Sequence, residues 1–197
     1  TGLIVVGLQL MGDLAVDLPR AADGPRSAVG RADDQATIRW LAAAARDRGV
    51  EHGVVLMVEL GDLREGIMPD LLGATAAHVL ALGGLRLRGI GANLACRSGI
   101  APDAANMAEL SACAEGVERE FGLDLDIVTG GNSANLLWAF GTADRGRVNN
   151  LRLGESILLG CEPLQRQPIP GLHDDAMVIV AEVIESARKP SRPWGRV

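Results

Sequence analysis

Four short polar segments of this chain combine glycines with side chains that can bind a small anion. They are VELGDLREGI (58–67), GIGANLAC (89–96), TGGNSAN (129–135) and NNLRLGESILLG (149–160), and the first three each follow an apolar run. Strands that alternate with helices build a parallel sheet, and such a sheet binds its ligands at the carboxyl ends of the strands. Polar residues at these ends therefore indicate one shared site.

The segment TGGNSAN lies between a predicted strand and a predicted helix. Backbone N–H groups in such a turn can hold a phosphate, so Gly131, Asn132 and Ser133 are candidate ligands. The alternative is structural, because Ser and Asn are also the residues that commonly cap helices. The segment lacks the spacing of either common nucleotide-binding loop.

The segment NNLRLGES places Arg152 at or near the end of a strand. Gly154 lets the backbone approach a ligand closely, and Glu155 follows it. An arginine in an otherwise apolar strand needs a partner, which is either an anionic ligand or a carboxylate such as Glu59. The same two kinds of partner, an anionic ligand or a carboxylate, are open for Arg64 in GDLREG.

Histidine and cysteine are too dispersed to predict a metal centre. Neither the three histidines nor the three cysteines show ligand spacing, so we expect no metal and interpret the cysteines as reduced thiols. These residues are His52, His78, His173, Cys96, Cys113 and Cys161.

Hydrophobic periodicity predicts an α/β chain in which helices and strands alternate. The predicted helices are 34–49, 69–82, 102–122 and 133–140, and the predicted strands are 54–60, 85–90, 125–129, 151–153 and 177–184. Residues 1–33 have the composition of a loop. An eightfold barrel needs roughly 250 residues and eight strands. The sheet is therefore either open or part of a larger barrel.

Composition favours small-molecule chemistry. The 197 residues carry a formal net charge of −6, without a basic stretch interleaved with aromatic residues, so nucleic acid is not an expected partner. No run approaches the ~20 apolar residues that cross a bilayer. The opening LIVVGLQLMG lacks a basic flank and a clear cleavage site. We therefore expect a cytoplasmic protein that does not bind membranes.

Taken together, the motifs VVLMVELGDLREGI, LRGIGANLAC, VTGGNSAN and NNLRLGESILLG, with GLHDDA after them, resemble a known family. It is that of the pyridoxal 5'-phosphate (PLP)-dependent amino-acid racemases related to alanine racemase, and the resemblance is closest to the ornithine-racemase-like branch. The resemblance runs from residue 37 to residue 190. It implies a partial (β/α)8 barrel over 34–184, followed at 185–197 by a linker to a β-rich domain. Residues 1–33 show no such resemblance.

The resemblance also implies roles for individual residues. Gly131, Asn132 and Ser133, with the backbone of Gly154 and Glu155, would form the cradle for the cofactor phosphate.

Three further side chains would face the cofactor ring and the substrate. Arg152 would face the pyridine nitrogen, and Asn93 takes the place of a histidine of alanine racemases. Arg64 matches an arginine that reaches the phenolic oxygen of the cofactor and the substrate carboxylate. The implied reaction interconverts L- and D-amino acids, by removal and return of the α-proton of an amino acid held on the cofactor as an external aldimine.

One departure from the family concerns the lysine that forms the Schiff base with the cofactor. In the family it ends the first barrel strand, whereas the single lysine here, Lys189, matches a lysine of the linker. The tyrosine that alanine racemases use as second base is absent as well. We therefore expect an internal fragment that does not racemise amino acids by itself. The resemblance implies that the intact protein is a homodimer.

Two other functions remain open from the sequence. Single-domain relatives on the same barrel bind PLP without catalysis and act in its homeostasis. An open α/β domain that binds a phosphate-bearing metabolite or a protein partner would explain the missing lysine without truncation.

Overall fold

The computed structural model describes residues 30–32, 35–64, 66–95 and 99–190. Short 3-10 turns at Pro69–Leu71 and Ser133–Asn135 lead into two of its helices. In chain order the elements are β1 (Gly30–Ala32), α1 (Gln35–Asp47), β2 (His52–Met57), α2 (Leu72–Ala81), β3 (Leu85–Gly91), α3 (Ala104–Phe121), β4 (Ile127–Thr129), α4 (Leu136–Gly141) and α5 (Glu155–Leu159).

The four strands form one parallel sheet in the order β1-β2-β3-β4. Asn150 extends it by a parallel bridge to Thr129 at the end of β4. In a doubly wound sheet the strand order reverses at a switch point, whereas in a (β/α)8 barrel each strand lies beside its predecessor. The described sheet therefore has the order of an arc of a barrel, and the predicted α/β class is confirmed.

Helices α1, α2 and α3 bury their apolar faces against the strands, in one core. Alternate residues of β2 enter this core, as expected for strands that expose one face to helices. The buried members include Ile38, Leu41, Ala42, Val54, Leu56, Ala76, Val79, Leu87, Ile90, Met107, Leu110, Ala114 and Val128.

Local signals set both ends of α3. The Asp103 side chain accepts the backbone N–H of Asn106, and the Asn106 side chain accepts that of Asp103, each at 2.9 Å. This reciprocal capping box satisfies two donors that the first helical turn leaves unpaired. Gly122 ends the helix at φ +63°, a left-handed conformation that glycine adopts without strain. The predicted helix over 102–122 is confirmed within two residues.

The other predicted helices and three of the predicted strands are also confirmed, with ends shifted by a few residues. The prediction for 177–184 was wrong, because this apolar segment is exposed and contains no strand. An apolar run becomes a strand when a neighbouring strand completes its hydrogen bonds, and the pattern alone does not supply that neighbour. Residues 151–153 follow the bridge between Asn150 and Thr129 without forming a regular strand.

Two elements were absent from the prediction. Strand β1 was not predicted, because its sequence GRA contains no apolar run and the segment around it has the composition of a loop. Helix α5 falls in the segment 154–160, which the sequence presents as a ligand loop. Among the helices of the described ranges, none combines the length and the apolar character needed to cross a membrane.

Close contact between β3 and β4 requires glycine at position 89. A Cβ atom on Gly89 would lie 1.9 Å from the carbonyl oxygen of Ile127, so alanine must push the strands apart. We expect Gly89→Ala to lower the free energy of unfolding by about 3 kcal/mol or more. Gly116 in α3 faces open space, and Gly116→Ala should raise that free energy by about 0.5–1 kcal/mol. Urea unfolding followed by circular dichroism measures both. Equal stability of the two variants would contradict the packing of β3 against β4.

Candidate functional site

Three loops meet at the carboxyl ends of β3 and β4. The N–H of Ala92 donates to the carbonyl of Thr129 at 2.9 Å. The N–H of Gly130 donates to the carbonyl of Asn150 at 3.0 Å, and that of Arg152 to the carbonyl of Gly131 at 2.8 Å. These backbone bonds fix the loops relative to one another. They bring together the polar segments 89–95, 129–135 and 149–156, which are three of the four that the sequence predicts to share a site.

The guanidinium of Arg152 lies at the centre of this junction and is half-buried. Nη1 donates to Oγ1 of Thr129 at 2.7 Å. Nη2 donates to the carbonyl of Ala92 at 3.0 Å and to Oδ1 of Asn93 at 3.3 Å. Three acceptors on two strand ends therefore orient a group that donates hydrogen bonds and accepts none.

Two amide side chains shape the turn that follows β4. Nδ2 of Asn132 donates to Oδ1 of Asn93 at 3.0 Å and to the carbonyl of Leu94 at 2.9 Å, while its Oδ1 accepts the N–H of Ala134 at 2.8 Å. Asn135 is fully buried; its Oδ1 accepts the N–H of Asn132 at 3.1 Å and its Nδ2 donates to the carbonyl of Gly130 at 2.8 Å. The two side chains fasten the turn from both sides.

Gly131 has a conformation that other residues rarely adopt. Its φ is +142°, and a Cβ atom there would lie 2.3 Å from Oδ1 of Asn135. A side chain at this position would displace the amide that holds the N–H of Asn132. The second glycine of TGGNSAN is therefore required by the geometry of the turn.

Ser133, Gly154 and Ser156 form a compact hydrogen-bonded group beside this turn, in which Oγ of Ser133 accepts from the other two residues. Oγ of Ser133 lies 3.3 Å from the N–H nitrogen of Gly154, 3.1 Å from that of Ser156 and 3.0 Å from Oγ of Ser156. Both serines are almost fully buried. Backbone N–H groups and hydroxyls that converge in this way suit the oxygens of a phosphate.

Glu155 lies between Gly154 and Ser156, and its carboxylate forms an ion pair with Arg166. Arg166 belongs to a turn closed by the antiparallel bridge between Cys161 and Pro168. We call residues 161–168 the Glu162 turn, because the buried carboxylate of Glu162 accepts backbone N–H groups from three of its residues. These donors are Leu164 at 2.7 Å, Gln165 at 2.9 Å and Gln167 at 3.0 Å.

The Glu162 carboxyl is held in its charged form. Burial by itself raises its pKa, but the backbone N–H groups of Gln167, Leu164 and Gln165, together with the charge of Arg166, outweigh burial. The pKa of Glu162 therefore lies below its ordinary value.

Arg64, the remaining candidate, lies on the loop between β2 and α2 and is half-buried. On the same loop the Glu59 carboxylate accepts the N–H of Gly61 at 2.6 Å. Beyond it, Val58 and Ile67 form a parallel bridge.

The structure thus places the candidate residues in two hydrogen-bonded groups. One contains Asn93, Asn132 and Arg152, and the other contains Ser133 and Gly154. Sequence reasoning missed three residues that complete these groups. Thr129 and Asn135 are the first and last residues of TGGNSAN, and Ser156 directly follows Glu155. Their nearness in sequence to the candidate site residues is the signal that could have identified them.

Lys189 lies apart from these groups. Its Nζ pairs with Glu185 at 2.5 Å, within the exposed stretch 171–190. Over the described ranges, no three side chains of His, Cys, Asp or Glu are close enough to hold a metal ion. Cys113 and Cys161 are free thiols, and Cys96 lies outside the described residues.

Buried His52, at the start of β2, should make stability depend on pH. Burial lowers the pKa of His52 below its ordinary 6.5, and Nε2 has no hydrogen-bond partner within the described residues. Between the folded and unfolded pKa values the unfolded chain binds more protons, so the free energy of unfolding falls as the pH drops below 6.5. We expect His52→Gln to flatten this slope, measured as urea midpoints from about pH 7.5 to about pH 5. The exposed His173→Gln is the control. An unchanged slope in His52→Gln would contradict this assignment.

Sequence comparison identifies relatives of the chain. It is 36% identical over 166 residues to ornithine racemase of Acetoanaerobium sticklandii, covering 82% of this chain and 46% of that protein. It is 33% identical over 143 residues to lysine racemase of Thermotoga maritima, covering 73% of this chain and 40% of that protein. The chain therefore spans less than half the length of these two relatives.

Solved structures share the fold. D-threonine aldolase from Filomicrobium marinum superposes with a TM-score of 0.55 at 21% identity, covering 72% of this chain and 39% of that one. Alanine racemase from Streptomyces lavendulae superposes with a TM-score of 0.53 at 22% identity, covering 68% of this chain and 35% of that one. The arc of parallel strands is thus part of the (β/α)8 barrel of these enzymes, as the resemblance implied.

The family profile described as "Alanine racemase, N-terminal domain" matches residues 18–163. The match begins within the segment 1–33 and includes the turn 129–135, the Arg152 junction and the Ser133–Ser156 group. The chain therefore belongs to the alanine racemase N-terminal domain family, and the predicted resemblance to PLP-dependent racemases is confirmed.

Proposed function

We propose that this chain provides the phosphate-binding and pyridine-binding side of a PLP site in an amino-acid racemase of the ornithine and alanine racemase type. The observation that carries the proposal is the Arg152 guanidinium, oriented by Thr129, Ala92 and Asn93 beside the Ser133–Ser156 group. The relatives named for ornithine and lysine favour a basic amino acid as substrate.

The residues present fit the non-covalent part of PLP. The hydroxyls of Ser133 and Ser156 and the N–H of Gly154, which are linked to one another through Ser133 Oγ, are groups of the kind that hold phosphate oxygens. Arg152 can donate to a pyridine nitrogen but cannot protonate it, because a guanidinium keeps its protons far above neutral pH. An arginine in this place would keep the ring nitrogen unprotonated.

Bound PLP supplies an electron sink that acidifies the α-hydrogen of an amino acid attached to it. This chain would orient the ring through Arg152 and Asn93 and hold the phosphate through Ser133, Gly154 and Ser156. Arg64, on the adjoining loop, would face the substrate carboxylate. Because Lys189 is the single lysine and pairs with Glu185 in an exposed stretch, we infer that the anchoring lysine lies outside these 197 residues.

The test compares ligands by calorimetric titration of the purified polypeptide. We expect PLP to bind reversibly, inorganic phosphate to compete, and pyridoxal, which lacks the phosphate, to bind at least about tenfold more weakly. After borohydride reduction, mass spectrometry should detect no PLP adduct at a specific residue of the chain. Racemase assays with ornithine, lysine and alanine should show no turnover.

Two outcomes would overturn parts of this proposal. Turnover by the purified polypeptide would contradict the need for a lysine from elsewhere. Equal affinity for PLP and for unrelated phosphorylated metabolites would instead indicate a general phosphate-binding domain, because an oriented Arg152 should select the pyridine ring.

A further inference from the structure

Glu155 presents an electrostatic difficulty for the proposed phosphate site. Its neighbours Gly154 and Ser156 both contribute groups that lie within 3.3 Å of Ser133 Oγ. A carboxylate is therefore attached to the same backbone that would hold a doubly charged phosphate. Like charges at short range oppose binding unless a cation compensates one of them.

Arg166 provides such a cation. Its Nη1 pairs with Oε1 of Glu155, eleven residues earlier in the chain. The side chains of Arg166 and Glu155 are 63% and 39% exposed, and exposed ion pairs contribute little to the stability of a fold. The main effect of this pair is thus on the charge beside the Ser133–Ser156 group rather than on folding.

The backbone at Arg166 is held in an unusual conformation. Its φ is +59°, in the left-handed region that residues other than glycine seldom adopt. Such a conformation persists when the surroundings enforce it, and it is frequent at functional positions. Here the N–H of Arg166 donates to the carbonyl of Glu162 at 3.1 Å.

The Glu162 carboxylate enforces that conformation. It is 1% exposed and accepts the N–H groups that flank Arg166, from Gln165 at 2.9 Å and Gln167 at 3.0 Å. A buried carboxylate that is saturated with backbone donors makes the whole turn rigid. The position of Arg166 opposite Glu155 is therefore built into the Glu162 turn.

We infer that Arg166 is a positioning residue for the cofactor phosphate, held by the Glu162 turn so that it neutralises Glu155 beside the Ser133–Ser156 group. The inference rests on the proposed function, since it concerns the same site. Arg166 acts through Glu155 and does not itself touch the cofactor.

Charge-removing variants test this directly. We expect Arg166→Gln to weaken the binding of PLP and of inorganic phosphate about fivefold at low ionic strength, because the Glu155 charge is then uncompensated. The effect should shrink in high salt. Glu155→Gln should bind at least as tightly as the wild-type chain, and Glu155→Gln combined with Arg166→Gln should return to within about twofold of it. Arg166→Lys should retain most of the affinity, because it keeps the charge.

Arg86→Gln is the matched control. Arg86 also pairs with a carboxylate, that of Asp126 at 3.5 Å, but it belongs to the first half of β3, at the opposite end of the strand from the proposed site. This variant should leave phosphate affinity unchanged. Melting temperatures of all the variants should stay close to that of the wild-type chain, since the affected pairs are exposed.

The inference is overturned if Arg166→Gln binds like the wild-type chain. It is also overturned if Glu155→Gln and Arg166→Gln weaken binding equally, because the pair would then act as a structural clamp. In both cases the wild-type chain still binds PLP, so the proposed function survives. Absence of PLP and phosphate binding to the wild-type chain would overturn the proposed function together with this inference.

Discussion

Arg152→Gln should lower the free energy of unfolding by about 2–4 kcal/mol and weaken PLP binding at least about tenfold. Glutamine is too short to reach Oγ1 of Thr129, the carbonyl of Ala92 and Oδ1 of Asn93 together, so acceptors at a half-buried junction would lose a charged donor. Leaving such groups unpaired costs more than the net value of the bonds that are removed.

Urea unfolding and PLP titration measure the two effects separately. Arg88→Gln is the matched control, because Arg88 on β3 donates from Nε to the partly exposed carboxylate of Asp126 at 2.5 Å. We expect that variant to change the free energy of unfolding by less than about 1 kcal/mol and to leave PLP affinity intact. Arg152→Lys keeps the positive charge but lacks the planar guanidinium with its two Nη donors, and this variant should still bind PLP weakly. If Arg152→Gln and Arg88→Gln gave the same results, the special role of the Arg152 junction would be refuted.

Gly131→Ala should be similarly damaging, for a steric reason. At φ +142° the backbone lies in a region that is nearly restricted to glycine, and the added Cβ would meet Oδ1 of Asn135 at 2.3 Å. Strain and displacement of the amide together should cost about 3 kcal/mol in the free energy of unfolding. PLP affinity should fall with it, because Asn135 fastens the backbone of Asn132 next to Ser133.

Gly141→Ala distinguishes this geometry from a general effect of replacing glycine. Gly141 ends α4, and a Cβ atom there meets no atom within 4 Å. Its substitution should change the free energy of unfolding by at most about 1 kcal/mol, in the stabilising direction, and leave PLP affinity unchanged. A Gly131→Ala protein with wild-type stability and affinity would show that the turn tolerates a side chain.

The sequence predicted the elements whose apolar pattern is long and periodic. Helix α3 is the best case, since its apolar face, the signals at Asp103 and Gly122 and its burial all agree. Strand β1 shows the limit, because a three-residue strand without an apolar run is defined by its pairing with β2 rather than by its own residues. The segment 177–184 shows the opposite error, in which apolar residues are present but remain exposed.

The sequence could bring the candidate residues together only through their positions after strands. Asn93 follows β3, Ser133 follows β4, and Arg152 follows the bridge of Asn150 to β4; parallel strands bring their ends to one edge. Which atom contacts which was not predictable, because it depends on backbone geometry at the loops. The Asn132 amide reaches Asn93 and Leu94, and the group around Ser133 is completed by Ser156.

The sequential order of the sheet has a consequence for how the chain folds during its synthesis. Each strand from β2 to β4 pairs with the strand that left the ribosome immediately before it. A newly made βα unit can therefore pair with the preceding strand as soon as its own helix has formed. It does not need a partner strand that is still to be translated. The loops that carry Asn93, the turn 129–135 and Arg152 would be added in that order, so the junction around Arg152 is completed last.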